Sequence, residues 1–450
     1  MSGDLPKGWV ETSIGSITAP YASIDPTKTP NKIFRYIDIG SIDNERLEIK
    51  GTKEFLGKDA PSRARRLISF GDTIFSTVRT YLRNIAFIQE THEGYLTSTG
   101  IAILRPVPGV VPQFLFRYVS SQPFVDAVSQ GMDGTMYPAI NDSDLDAHLI
   151  PLPPTAEQRR IVAKIDALFA RSSRAREALA AIPALIDRYR QAVLAAAFRG
   201  DLTADWRDGE SPMWQEVEAC QLFEEGPTNG YSPKAATDGP GTKSLKLSAT
   251  TTGTFILNDR TTKRLLEDVP PGAKFWLYPG DILIQRANSL EYVGATAIFD
   301  GPKQQYIYPD LMMRVRIKSP TTRLFFWRYM NSLSARNWLK ERATGTAGNM
   351  PKISGSILKK LPVPLPPEDE QAEIILRIEE RFAAIDTIAR QIRQAANYVT
   401  RLDQSILDKA FSGRLVPQDP ADEPAAQLLE RIRAARAAAR NPKRGRRARG

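Results

Sequence analysis

Residues 151–172 read PLPPTAEQRRIVAKIDALFARS, and residues 364–385 read PLPPEDEQAEIILRIEERFAAI. At this offset of 213 the likeness runs without a gap to the exits LAAAFRGDL and LDKAFSGRL, so that Glu157 and Gln158 match Glu370 and Gln371, and Phe198 and Gly200 match Phe411 and Gly413. An internal repeat of this length points to one unit written twice. Upstream, NMPKISGSILKKL faces MYPAINDSDLDAHL, and FGDTIFSTVR at Phe70 faces PGDILIQRAN at Pro279 with the offset reduced to 209. Each copy is therefore a variable stretch of roughly 150 residues followed by roughly 50 closely repeated ones.

The repeated part has the spacing of a coiled-coil seam. Ile161, Ile165, Leu168, Ala175, Leu179, Ile182, Ile186, Tyr189, Val193 and Ala196 recur at steps of three and four, with Ser172 off type. The copy repeats the phase with Ile374, Ile378, Ile385, Ile388, Ile392, Ala395, Val399, Leu402 and Ile406, interrupted by Arg381 beside Phe382. The prolines block extension at the start, and Gly200 and Gly413 supply the ends. A helix of about 42 residues is roughly 63 Å long at 1.5 Å per residue. Pro183 should bend the first helix; Ala396 stands there in the second.

Charge favours pairing of the two helices. Residues 151–207 carry ten basic and six acidic side chains, whereas 365–430 carry seven and thirteen. Duplicated units tend to pair about a twofold axis, so an antiparallel, pseudo-twofold pair is expected. The chain of 450 residues has a net charge of +10, but nine Arg or Lys and no acid lie in residues 431–450, which leaves the rest at +1. A polyanion-binding face in the body must therefore be a local patch.

The variable regions alternate short β-type runs (NKIFRYIDIGS, DTIFSTV, IAFIQ, GIAILRP, KFWLY, DILIQ, ATAIF, LMMRVRI) with turn signals, and QFLFRYVSSQPFVDAVSQ and RLFFWRYMNSLSARNWLKERA read as amphipathic helices. The fold class is α+β: two similar mixed globular domains joined by two long antiparallel coiled-coil helices. The expected divisions are 1–150 and 208–363 for the globular domains, 151–207 and 364–418 for the helical repeats, and 419–450 for a C-terminal helix and basic tail. No apolar run of about 18 residues and no signal-peptide pattern is present, so a cytoplasmic protein is expected. A single cysteine, Cys220, excludes an internal disulfide and a cysteine-cluster zinc site.

The PLPP-x-x-EQ motif, the long helix after it, the AFRGDL and AFSGRL exits and the ending EPAAQLLERIRA resemble the specificity subunits of Type I restriction-modification enzymes. The resemblance implies that each globular region is a target-recognition domain reading one half of a split double-stranded DNA site. It also implies that the helices fix the unread gap, that two methyltransferase subunits dock around them and that restriction/translocase subunits join later. No cofactor is then expected in this chain; S-adenosylmethionine, ATP and Mg²⁺ would serve the partner subunits. The final RNPKRGRRARG departs from the family's usual ending.

Base-edge contacts call for Arg, Asn, Gln, Ser or Thr on loops, with backbone contacts from cations and amides. Two matched places qualify. After the GD turn stand Arg79, Tyr81, Arg83 and Asn84, opposite Gln285, Arg286, Asn288 and Ser289; before the helices stand Thr135, Tyr137 and Asn141, opposite Thr346, Asn349 and Lys352. Two rival readings are a coiled-coil scaffold without DNA binding and a Mg²⁺-dependent endonuclease built on Asp43, Glu48 and Lys50 in SIDNERLEIK. A solvated hairpin is the favoured account of that triplet, whose spacing is short and unrepeated in a chain with 51 acidic and 61 basic residues. A methyltransferase's glycine-rich loop and an ATPase's phosphate loop are both missing, since GPGTKS at Gly239 has Thr242 where glycine is required. With only His92 and His148, no histidine-based metal site or triad is expected, and both read as surface or core histidines.

Overall fold

The computed structural model describes residues 5–130, 139–236, 241–345 and 350–440. The chain divides into two compact units, Met1–Leu179 with Gln394–Gly450, and Ala180–Arg393. Each unit combines one globular domain with the first half of one long helix and the second half of the other.

The long helices are Thr155–Arg199 and Glu368–Phe411. Each begins beyond its double proline, with Gln158 N donating to Pro154 O and Gln371 N to Pro367 O, both at 2.9 Å. Each ends at a glycine in the left-handed region, Gly200 at φ 85° and Gly413 at φ 70°, where a Cβ would be strained. The first helix continues through Pro183, which has no N–H for the carbonyl of Leu179.

In the first unit, Ile161 and Ile165 pack with Ile406, Leu407, Ala410 and Phe411, and Arg160 and Arg176 pair with Asp422 and Asp403. In the second, Val193, Leu194, Ala197 and Phe198 pack with Ile374 and Ile378, and Arg190 pairs with Asp386. Rising numbers on one helix meet falling numbers on the other, so the pairing is antiparallel. Arginines of the basic helix meet carboxylates of the acidic repeat, as the charge asymmetry predicts, although Arg377 of the second helix also reaches back to Asp205.

The expected seam is closed only near its ends. Tyr189, Ile388 and Leu402 remain 47%, 49% and 54% exposed, together with Leu185, Leu376 and Tyr398 outside the seam. Two helices alone cover only a narrow stripe of each other, and the domains complete the burial only where they abut.

Both domains are α+β; one four-stranded sheet matches strand for strand, and the other shares three strands but carries its fourth at opposite edges in the two domains. The first has one sheet in the order Lys53–Leu56, Ile33–Ile37, Leu96–Ser98, Ala64–Leu67 and another in the order Thr18–Ala19, Ile101–Pro106, Thr73–Ser76, Ile85–Phe87. The second has Ala235–Ala236, Thr262–Leu265, Lys243–Leu245, Tyr306–Ile307, and Glu225–Asn229, Met312–Arg316, Ile282–Gln285, Thr296–Ile298. Ile33–Ile37 runs parallel to Leu96–Ser98, as Lys243–Leu245 does to Tyr306–Ile307, and the other strand pairs among the described residues are antiparallel. The strand leading into each long helix, Leu149–Leu152 or Pro362–Leu365, pairs with the domain's opening strand, Val10–Ser13 or Gln215–Glu218.

KFWLY is the expected strand that does not form: only Trp276 bridges to Ile307, because its indole donates to Pro270 O at 2.8 Å and fixes a turn between prolines. The two helical stretches are each broken in two, into Pro112–Val119 and Gln122–Ser129, and into Pro320–Met330 and Leu333–Glu341. In the latter, Ser332 starts a new helix by accepting from Ala335 N at 3.3 Å.

The C-terminal helix Ala425–Arg440 buries Ala425, Leu428, Leu429 and Ile432 in the first unit, with Ala425 N donating to Gly8 O at 2.9 Å. The basic run after it lies outside the described residues.

Candidate nucleic-acid interface

The GD turn of each domain is held by its aspartate. Gly71 and Gly280 adopt φ of 86° and 93°, and Asp72 and Asp281 accept from Ser69 N and Tyr278 N at 2.8 and 2.9 Å. The same carboxylates, 1% and 2% exposed, pair with Arg105 and Arg316 on the neighbouring strand. These buried ion pairs clamp the base of a hairpin, Thr73–Ser76 to Ile85–Phe87 in one domain and Ile282–Gln285 to Thr296–Ile298 in the other.

Above the clamp the chain leaves the sheet and meets the segment that precedes the long helix. Val78 bridges to Ala139, and Ile140 N donates to Thr77 O at 2.9 Å. At the matched place Ala287 bridges to Lys352, Asn288 N donates to Pro351 O at 3.3 Å, and Ile353 N donates to Arg286 O at 2.8 Å. The two places that sequence alone singled out in each domain therefore form one surface. Thr135, Tyr137, Thr346 and Asn349 lie outside the described residues.

Several named side chains turn inward. Gln285 is fully buried; its amide donates to Leu247 O and to the Thr250 and Thr251 hydroxyls, and its oxygen accepts from Asn288 Nδ2 at 2.7 Å. Arg83 donates to Ser120 O at 2.8 Å, with burial pushing its pKa below the usual guanidinium value, and Asn84 is 9% exposed. These four groups brace the loops. Arg79, Tyr81, Asn141, Ser289 and Lys352 are exposed, while half-buried Arg286 reaches Asp310 O at 3.4 Å.

The first loop is strained: Arg79 and Arg83, at φ 50° and 54°, bracket the turn Thr80–Leu82. Left-handed non-glycine residues cost of order 1 kcal/mol or more each and gather at functional sites. The turn presents Tyr81 at 53% exposure, and its counterpart Leu290 is 44% exposed. Tyr81 was legible in the sequence. Leu290 was not, because an exposed leucine has no pattern of its own.

Sequence reading also missed the role of the repeated Glu. Trp9 Nε1 donates to Glu157 Oε2 at 3.0 Å, and Trp214 Nε1 donates to Glu370 Oε2 at 2.8 Å. The usable signal was a tryptophan near each domain's start, in PKGW and SPMW.

The Asp43, Glu48 and Lys50 triplet forms a hairpin, with Asp43 opposite Glu48. Asp43 Oδ1 accepts from Glu45 N and Arg46 N at 3.0 Å, and these two bonds, Arg46's first, hold its carboxyl below the usual range. Among the described residues no group of three or more His, Cys, Asp or Glu is arranged to hold a metal, and no helix is long and apolar enough to cross a membrane.

The profile of the Type I restriction modification DNA specificity domain matches this chain twice, over residues 6–182 and 214–398. The chain belongs to the Type I restriction-modification specificity family. It is 30% identical to the Type I restriction enzyme EcoKI specificity subunit of Escherichia coli K12, over 97% of each chain. It is also 32% identical to the StySPI specificity subunit of Salmonella potsdam over 74% of each. Among solved structures, one chain from work on assembly and conformational transition of the type I R-M system is 30% identical with a TM-score of 0.72, covering 92% of this chain and all of its own. The HsdS subunit from Thermoanaerobacter tengcongensis is 31% identical with a TM-score of 0.57, covering 92% of this chain and 99% of its own. As a specificity subunit the chain supplies DNA sequence specificity and no catalysis, which excludes the scaffold and lone-endonuclease readings.

Proposed function

We propose that this specificity subunit reads a bipartite DNA site, one half with each domain, and that its two long helices set the unread gap between the halves. The observation that carries this reading is the repeated surface, in which the same hairpin meets the same pre-helix segment in both domains. Two half-sites about one helical turn, roughly 34 Å, apart need two readers tied by stiff elements. Once one domain is engaged, binding of the second becomes intramolecular and gains affinity without new contacts. Arg79, Tyr81, Asn141, Arg286, Ser289 and Lys352 are the side chains placed to touch DNA; Arg83, Asn84, Gln285 and Asn288 hold the loops that carry them.

The partners that fit are two methyltransferase subunits, with restriction subunits joining them. S-adenosylmethionine, ATP and Mg²⁺ chemistry belongs to those partners, and work on chromosomal DNA places the complex in the cytoplasm. The apolar residues left open on the helices, Leu185, Tyr189, Leu376 and Ile388 in one unit and Tyr398 and Leu402 in the other, suit partner helices.

Selection from a random duplex pool by the chain together with its methyltransferase tests this reading. The expected product is two short fixed blocks separated by a constant unread gap. One uninterrupted motif, or retention without sequence preference, overturns it.

A further inference from the structure

We infer that the hairpin from Lys243 to Leu265 of the second domain is a phosphate-backbone contact that the first domain lacks. The inference rests on the DNA reading above and extends it to residues away from the base-reading loop.

The hairpin matches Ile33–Leu56 of the first domain: each begins with a strand that pairs antiparallel with the hairpin's second strand and parallel with a third. Their charges differ in sign. Residues 33–56 hold four basic and five acidic side chains, while 243–265 hold Lys243, Lys246, Arg260, Lys263 and Arg264 against the single acid Asp259. In a body that sums to +1, this is a concentrated patch.

In the first domain the strand cations are neutralised at home, Arg35 by Glu54 at 2.8 Å and Lys53 by Asp38. In the second, none of the five cations has an ion pair among the described residues. The nearby acids Glu267 and Asp268 accept instead from Tyr231 and Thr242 hydroxyls at 3.3 and 3.4 Å. Lys243 lies directly opposite Arg264, a cross-strand like-charge arrangement that destabilises a sheet, with only the Tyr306 ring, 5.6 Å from Lys243 Nζ, to soften it among the described residues. Folding alone does not favour such a pattern, and a polyanion relieves it.

The placement suits DNA. Lys246 and Arg260 are exposed and Lys263 half-buried, at the hairpin end nearest the reading loop. Lys246 Nζ donates to Arg260 O at 3.3 Å, and Ser244, two residues before Lys246, lies opposite Lys263. The residue after Lys246, Leu247, accepts the Gln285 amide at 2.8 Å, and Gln285 opens the reading loop. Cations beside a base-reading loop neutralise phosphates and set register, and each one engaged adds about 0.9 to the slope of log K against log salt.

The test compares the full chain with the variant Lys246→Gln, Arg260→Gln, Lys263→Gln, binding a random-sequence duplex of about 40 base pairs between 50 and 200 mM salt. If all three cations engage phosphates, the slope falls by about 2.7, so the unmodified chain loses about 40-fold more affinity over that range than the variant. The single variant Arg260→Gln, on an exposed loop, keeps the test valid should the triple variant misfold; its slope falls by about 0.9. Unchanged slopes in variants that melt like the unmodified chain overturn the inference, as does an unchanged slope with loss of methyltransferase co-elution, which assigns the patch to a protein partner. Failure of the unmodified chain to retain any duplex counts against the DNA reading itself.

Discussion

Glu157 and Glu370 occupy the same position of the same motif, yet their removal should have unequal consequences. Both are buried, and both accept from a tryptophan indole. Glu370 also pairs with Arg207, whose side chain is 11% exposed, and accepts from the Thr203 hydroxyl at 2.9 Å. Glu157 has no cation in hydrogen-bond contact among the described residues; a weak 3.4 Å bond from Gln418 replaces one, and burial raises its pKa above the usual carboxylate value. Replacing one partner of a buried pair leaves the other charge uncompensated, which costs about 3–5 kcal/mol. Arg207 keeps its bonds to Thr203 Oγ1 and Gly200 O, so about 3 kcal/mol is expected for Glu370→Gln. For a unit of this size that lowers the melting temperature by about 6–12 °C.

Glu157→Gln preserves an acceptor for Trp9 and removes a carboxylate that burial disfavours, so its effect should lie within about 1 kcal/mol of zero or be stabilising. Because the folded-state pKa of Glu157 is raised, its favourable contribution is complete below the unfolded value and fades as pH rises through the folded one. The benefit of the substitution should therefore be larger at pH 7 than at pH 4.5. Calorimetry or urea unfolding of the two variants measures the contrast. Equal losses, or a larger loss for Glu157→Gln, would refute the reasoning.

Tyr81→Ala should weaken discrimination in the first half-site alone, and Leu290→Ala in the second alone, each by about 10- to 100-fold for a base contact; competition binding with half-site-randomised duplexes reads this. Burial holds the pKa values of His92 and His148 below the ordinary value, so the neutral rings stabilise the first domain above pH about 6.5 and that contribution is lost as pH falls. Its melting temperature should drop between pH 7.5 and 5.5, and the double variant His92→Gln, His148→Gln should flatten the drop. Four residues inserted after both Ala180 and Arg393 should change the unread gap and leave both half-sites unaltered; methylation mapping that found altered half-sites would break the division of labour between domains and helices.

Repetition made the architecture legible. A seam at steps of three and four, prolines before it and glycine after it need only local rules, and their occurrence twice marked the helices, their ends and the antiparallel pairing. The candidate loops were found the same way, since GD turns at matching offsets announce matching hairpins. The sequence did not reveal which loop side chains face outward. Gln285 and Arg79 look equally suited to DNA on paper, but the Leu247 carbonyl and two threonine hydroxyls, far away along the chain, absorb the amide of Gln285. Distant contacts also decided that Trp9 and Trp214 reach the repeated glutamates and that the seam opens between its ends. Periodicity records which residues prefer burial, but burial and hydrogen bonding are settled by whatever segment arrives from elsewhere in the chain, and only the tertiary structure brings those segments together.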